Sequence, residues 1–173
     1  MPKKAVMIIA PQMFRDEEYL EPKKVLQNAG INVTTASSRS GIATGKLGLK
    51  ADIDALIKDI KVKDYDAVLF IGGPGSFDYY DDPVAQNIAR EAVKEEKILG
   101  AICAAPGILA RAGVLAGKKA TMFEDTGELK KGGAVYTGRG VEIDGKIITA
   151  TGPQTAGAWG AAILKAIGGK VDR

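Results

Sequence analysis

The runs Ala5-Val6-Met7-Ile8-Ile9-Ala10 and Asp66-Ala67-Val68-Leu69-Phe70-Ile71 are almost unbroken in their apolar character. A strand holds such a run only when both of its faces are covered, which a sheet with one wet face does not offer. Ile98 to Ile102 reads as a third buried strand. Helical spacing appears between these runs. Glu18 to Ala29 is stopped by Gly30, and Pro22 is tolerated there if it lies in the first turn, where a missing N–H costs nothing. Val84 to Glu95 reads as an amphipathic helix with Ile88, Ala92 and Val93 on one face. Ile31 to Ala36 is rich in β-formers, and the glycine-punctuated stretch from Gly41 to Leu49 suggests a hairpin. Lys146 to Ala150 follows an Asp144-Gly145 turn, and Thr155 to Ile167 reads as a last helix ended by Gly168-Gly169. Strands that alternate with crossover helices imply an α/β fold, a doubly wound parallel sheet sandwiched between helices. With 173 residues and no repeat, linker or low-complexity tract, a single domain over residues 1–173 is expected.

Ligands bind such sheets beyond the carboxyl ends of the strands, where loops converge. Three features fall there: the acidic loop Pro11 to Glu18, the run Gly72-Gly73-Pro74-Gly75, and Cys103. The last is the only cysteine of the chain. It ends a buried strand and is followed by Ala104-Ala105-Pro106-Gly107 and a helical pattern from Ile108. A tight strand-to-helix turn pushes a sulfur clear of the backbone, and a nearby helix N-terminus favours its thiolate. The alternative is a small buried hydrophobe, a common fate of free cysteine. Gly72 and Gly73 let a backbone N–H turn toward the sulfur, and the Ala104 N–H supplies a second donor, together an oxyanion hole. Their other reading is a tight turn leaving the sheet. Asp16, Glu17, Glu18 and Glu21, taken alone, read as compensation of the helix dipole. Tyr19, Tyr79, Tyr80 and Trp159 read as packing residues.

Composition narrows the chemistry. The chain contains no histidine, so a Cys-His dyad, a Ser-His-Asp triad and a histidine-ligated zinc are excluded within one chain. One cysteine and scattered carboxylates give no metal-ligand spacing, and no G-x-x-x-x-G-K-[ST] is present, so neither a metal nor a nucleotide cofactor is expected. The net charge of +3 comes from dispersed basic residues, which argues against nucleic acid as a partner. No apolar segment approaches the roughly 18 residues that span a bilayer, so no membrane partner is expected. One unpaired cysteine and the lack of a leader pattern at Met1-Pro2-Lys3-Lys4 suggest the cytoplasm.

The residues assembled so far resemble the DJ-1/PfpI superfamily over essentially the whole chain. The resemblance is carried by Phe14-Arg15-Asp16-Glu17-Glu18-Tyr19-Leu20-Glu21-Pro22, Thr44-Gly45-Lys46, Tyr65-Asp66-Ala67-Val68 with Ile71-Gly72-Gly73, Ala101-Ile102-Cys103-Ala104-Ala105-Pro106, and Asp144-Gly145-Lys146-Ile147-Ile148-Thr149 with Gly152-Pro153. It implies a flavodoxin-like α/β sandwich that works as a homodimer or a higher homo-oligomer. It also implies Cys103 as nucleophile, Glu18 as its acidic partner, and the Gly73 and Ala104 backbone N–H groups as oxyanion donors. The family's histidine has two places; here they hold Ala104 and Phe123. Glu124 and Asp125, beside Phe123, read as solvated loop charges that could replace it only if the loop turned inward.

Three functions follow from the resemblance. The first is a glyoxalase- or deglycase-like enzyme acting on small reactive carbonyls in stress protection, with Cys103 adding to the carbonyl and Glu18 moving the proton. The second is a PfpI-type intracellular cysteine peptidase acting on peptides. It suffers most from the missing histidine, because amide cleavage needs an acid for the leaving amine. The third is a peroxide-responsive sensor in which Glu18 hydrogen-bonds the oxidised sulfur of Cys103. A domain that keeps the fold and has lost turnover is the remaining possibility.

Overall fold

A computed structural model describes residues 2–168. In chain order the elements are β1 (Lys4–Ile8), β2 (Gln12–Phe14), α1 (Asp16–Asn28), β3 (Asn32–Ser37), β4 (Ile42–Gly45), β5 (Lys50–Asp52), β6 (Ala55–Leu56), β7 (Ala67–Phe70), α2 (Pro83–Lys94), β8 (Ile98–Ile102), α3 (Pro106–Arg111), β9 (Lys119–Ala120), α4 (Glu128–Lys131), β10 (Val135–Tyr136), β11 (Val141–Asp144), β12 (Ile147–Ala150) and α5 (Ala156–Ile167). Seven strands form the central sheet in the order β11-β12-β8-β7-β1-β3-β6, parallel throughout except for the edge strand β11. The expected doubly wound sheet is therefore present.

Alternation along each apolar run explains why both sheet faces are dry. In β1, Val6 and Ile8 join Ile88 and Ala89 of α2 and Ile108 and Leu109 of α3 in one core. Ala5 and Met7 point the other way and pack with Leu26 of α1 and Trp159, Ile163 and Leu164 of α5. Successive strand side chains leave on opposite faces, so an unbroken apolar run feeds two cores at once.

Several expectations need correction. Helix α1 begins at Asp16, not Glu18, so the loop after β1 is shorter than expected and Pro22 lies inside the helix rather than in its first turn. There it cannot donate to the Glu18 carbonyl one turn back. Gly160 of α5 packs on it; a Cβ added there would lie 2.9 Å from Pro22 Cα. Val93 is 43% exposed, and the buried stripe of α2 is Ala85, Ile88, Ala89 and Ala92. Five residues advance a helix by about 500°, which puts Val93 roughly 140° away from Ile88. The Gly41–Leu49 stretch does enter a hairpin, of β4 with β5, and β2 adds to it as a third strand. Gly169, expected to end α5, lies outside the described residues.

Topology places the site. Strands β1 and β7 are neighbours, but the chain leaves β1 toward β3 on one side and β7 toward β8 on the other. Connections diverging from adjacent strands open a crevice beyond their carboxyl ends. Glu18 follows β1, Gly72 and Gly73 follow β7, and Cys103 follows β8.

Candidate active site

Cys103 occupies a backbone conformation that non-glycine residues rarely adopt, with φ 63°. The turn is held from several sides. Its N–H donates to the Ala150 carbonyl of β12 at 2.9 Å, and its carbonyl accepts the Phe123 N–H at 3.0 Å. The Tyr80 hydroxyl donates to the Ala104 carbonyl at 2.6 Å. A strained residue persists only where its surroundings over-determine it, and such residues concentrate at functional sites.

Glu18, in the first turn of α1, is fully buried with 0% exposure. Its carboxyl faces the Cys103 side chain and the Gly72 backbone. Neither carboxyl oxygen reaches a partner at full hydrogen-bond geometry. Gly72 is the reason the two groups can approach. A Cβ there would lie 2.6 Å from Glu18 Oε1 and 2.7 Å from Cys103 Cβ. Gly73 has φ 97° and sits against the backbone of the β2–α1 connection, where a Cβ would lie 2.5 Å from the Arg15 nitrogen. That close approach turns the Gly73 N–H toward the sulfur, where the Ala104 N–H joins it.

Burial pushes the Glu18 carboxyl up to about 7, against a lowering by its contact with Cys103 and by the Arg15 charge. Burial likewise pushes the Cys103 thiol up to about 12, reinforced by the Glu18 charge and opposed by the N–H groups of Gly73 and Ala104. This overturns the expectation that a helix N-terminus would make the thiol acidic: α3 starts only at Pro106, and the desolvated sulfur lies beside a carboxyl. The two values belong to the pair, which holds a single proton over the range between them. Two backbone donors face the sulfur, while the carboxyl oxygens lack partners. The carboxyl is the first of the two to give up its proton, so between those values the remaining proton rests on the sulfur, next to the Glu18 carboxylate, and the two N–H groups wait for the charge that forms when it leaves.

All four expected site residues, Cys103, Glu18, Gly73 and Ala104, line one cavity of about 560 Å³. Phe123, the nearest counterpart of a family histidine, also lines it and is 40% exposed. Glu124 and Asp125 are exposed and do not line it, in agreement with solvated loop charges. Tyr19, Tyr79 and Trp159 are packing residues whose polar atoms bond Thr35, the Ile9 carbonyl and the Ile148 carbonyl. Asp16 has a different task from the helix-dipole role expected of it. Its carboxylate accepts the Leu47 and Leu49 N–H groups at 2.9 and 2.8 Å and fixes the β4–β5 turn. The sequence reading assigned no role to the two cations lining the cavity, Arg15 and Lys46. Their only signal was membership of the quoted motifs Phe14 to Pro22 and Thr44-Gly45-Lys46.

Comparison with known proteins bears on the same residues. A family model described as the DJ-1/PfpI family matches residues 3–166. An uncharacterised protein of Methanocaldococcus jannaschii is 42% identical over 168 residues, covering 95% of this chain and 82% of that protein. A protein of Caenorhabditis elegans named a glutathione-independent glyoxalase is 28% identical over 167 residues, covering 96% of this chain and 90% of its own. Among solved structures, a ThiJ/PfpI domain protein from Brachyspira murdochii superposes with a TM-score of 0.94 at 30% identity, covering 97% of this chain and 98% of that one.

Proposed function

Since the chain belongs to the DJ-1/PfpI family, we propose that it is a cysteine-dependent enzyme that converts small reactive 2-oxoaldehydes into 2-hydroxy acids. The observation that carries this reading is the buried Glu18 carboxyl, without a full hydrogen-bond partner, against the sulfur of Cys103. Such a carboxyl gives up and takes back a proton at the reacting atoms. The glyoxalase name of the C. elegans relative supports the same chemistry.

In this mechanism the Glu18 carboxylate takes the proton of Cys103 as the sulfur adds to the aldehyde carbon. Its oxygen takes the proton held by Glu18, and a hemithioacetal forms while the Gly73 and Ala104 N–H groups steady the developing oxyanion. Glu18, now a carboxylate, removes the hydrogen on that carbon as a proton. It returns the proton to the neighbouring carbon through an enediol, leaving a thioester of a 2-hydroxy acid. Water cleaves the thioester and restores the thiol. One carbon is oxidised and its neighbour reduced, so the sum is 2-oxoaldehyde plus water giving 2-hydroxy acid, with no external redox partner. No amine leaves, so no histidine is needed to protonate one. The peptidase reading needs that acid, and Ala104 stands where the resemblance places the histidine of the PfpI branch.

The reading takes the cytoplasm as location and a homodimer or higher homo-oligomer as the working form. Light scattering on the purified protein tests the second. The direct test of function is lactate formation from methylglyoxal by wild type and Cys103→Ala side by side. Turnover present in the first and absent in the second is expected. Equal turnover in both, or none in wild type, removes the reading.

A further inference from the structure

The cavity holds two groups that the proposed chemistry leaves idle, the cations Arg15 and Lys46. They come from separate segments and are fixed close together by the backbone. The Arg15 N–H donates to the Gly72 carbonyl at 2.9 Å, and the Lys46 N–H donates to the Phe14 carbonyl at 2.8 Å. Asp16, 8% exposed, clamps the turn that carries Lys46. Gly45 lies so close to this clamp that a Cβ would come within 2.6 Å of Asp16 Cγ. A turn anchored by a nearly buried carboxylate fixes the backbone that carries Lys46 at the cavity wall.

Two cations and one carboxyl line the cavity. Its only acidic lining residue is Glu18. Glu17 pairs with Arg15 through two bonds of 3.0 Å from Nε and Nη2, which leaves Nη1 without a partner among the described residues, and Lys46 has no ion-pair partner among them. Phe77, Phe123, Pro74 and Pro153 make the remaining walls largely apolar. A neutral dicarbonyl draws nothing from the two cations. An anion held there gains charge-assisted hydrogen bonds beside walls that keep the local dielectric low.

Resting on the reading of function above, we propose that the carbonyl substrate carries a negative charge, as a carboxylate or a phosphate, which Arg15 and Lys46 hold while its aldehyde meets Cys103. The guanidinium fork matches the oxygens of either group, and the ammonium adds a point charge.

The test uses two alkylating probes of similar size, anionic iodoacetate and neutral iodoacetamide. The rate ratio for Cys103 is divided by the same ratio for 2-mercaptoethanol. This removes the reactivity of the sulfur itself and leaves only recognition of the charge. Wild type is expected to favour iodoacetate by roughly fivefold, an effect of the size expected for partly exposed ion pairs. Arg15→Gln/Lys46→Gln is expected to bring the ratio near one, and Glu17→Gln, which frees Arg15, to raise it. Protection from iodoacetamide by inorganic phosphate assigns a phosphate substrate; protection by acetate alone assigns a carboxylate. A wild-type ratio near one, or a ratio unmoved in the double variant, overturns the proposal. A sulfur that neither probe reaches overturns it together with the function, since no substrate could then reach it either. Methylglyoxal turnover, measured on the same preparations, separates the two ideas. Turnover without iodoacetate preference defeats the anion site alone, and preference without turnover defeats the assigned reaction.

Discussion

Helices α2 and α3 pack on the same face of the sheet, and each has a proline at its first position, yet they begin in opposite ways. Before α2, Asp82 is extended (φ −80°, ψ 115°) and its carboxylate accepts the Val84 N–H at 2.9 Å. That is a relaxed start with an orphan donor satisfied. Before α3, Ala105 is already helical (φ −64°, ψ −29°) although a proline follows, no side chain caps the helix, and Cys103 has φ 63°. Both backbone choices are disfavoured, the first because a proline ring crowds the residue before it. What is gained is a free Ala104 N–H directed at the sulfur. One start is built for stability and the other for chemistry.

The contrast is broken first at Glu18. Glu18→Gln is expected to lower kcat/KM for a dicarbonyl by about 10²–10⁴-fold, the range of a lost acid–base group, whereas Asp82→Ala leaves it unchanged. The same substitution reads out in stability against pH. Because burial raises the folded-state carboxyl from 4.5 to about 7, its contribution is complete below about 4.5 and is lost as pH rises through about 7. Glu18→Gln escapes that loss, so its melting temperature relative to wild type is expected to rise between pH 4 and pH 8, by on the order of 3 kcal/mol in stability.

Gly72→Ala is next, expected to destabilise by about 2–3 kcal/mol in urea unfolding, since a Cβ would overlap Glu18 and Cys103. Asp82→Ala removes the cap of α2 and is expected to cost about 1 kcal/mol, seen as a lower urea midpoint at unchanged slope. The smallest effect sharpens the other side of the comparison. Cys103→Gly is expected to be more stable than Cys103→Ala by about 1 kcal/mol, because glycine accepts the positive φ that alanine resists. Equal stability of the two would show that the turn at Cys103 is not strained.

Much of this was readable in the chain. The strand Ile98–Ile102 matches its expected bounds, because an apolar run and the small residues that stop it are local signals. Cys103, Gly73 and Ala104 were picked out by their position at strand ends, and Glu18 by the family motif rather than by its chemistry, since four acidic neighbours look alike in sequence. Val93 was misplaced because an apolar side chain was counted without its angle on the helix. The acidity of the thiol was misjudged for a related reason: a helix N-terminus is visible in sequence, but the desolvation that outweighs it is not.

Sequence by itself determined the principal strands and helices, the two-faced burial of the sheet and the absence of histidine, because periodicity, turn residues and composition act over a few residues. Tertiary structure alone decided which of Asp16, Glu17 and Glu18 turns inward. It made Asp16 a clamp for the β4–β5 turn, Glu17 a partner of Arg15 and Glu18 the neighbour of the sulfur. It also brought Lys46 to the cavity beside Arg15. The physical reason is that a charge acquires its role from what lies within a few ångströms. For these residues that neighbourhood is made by strand order and by glycines that permit close approach, neither of which a local pattern encodes.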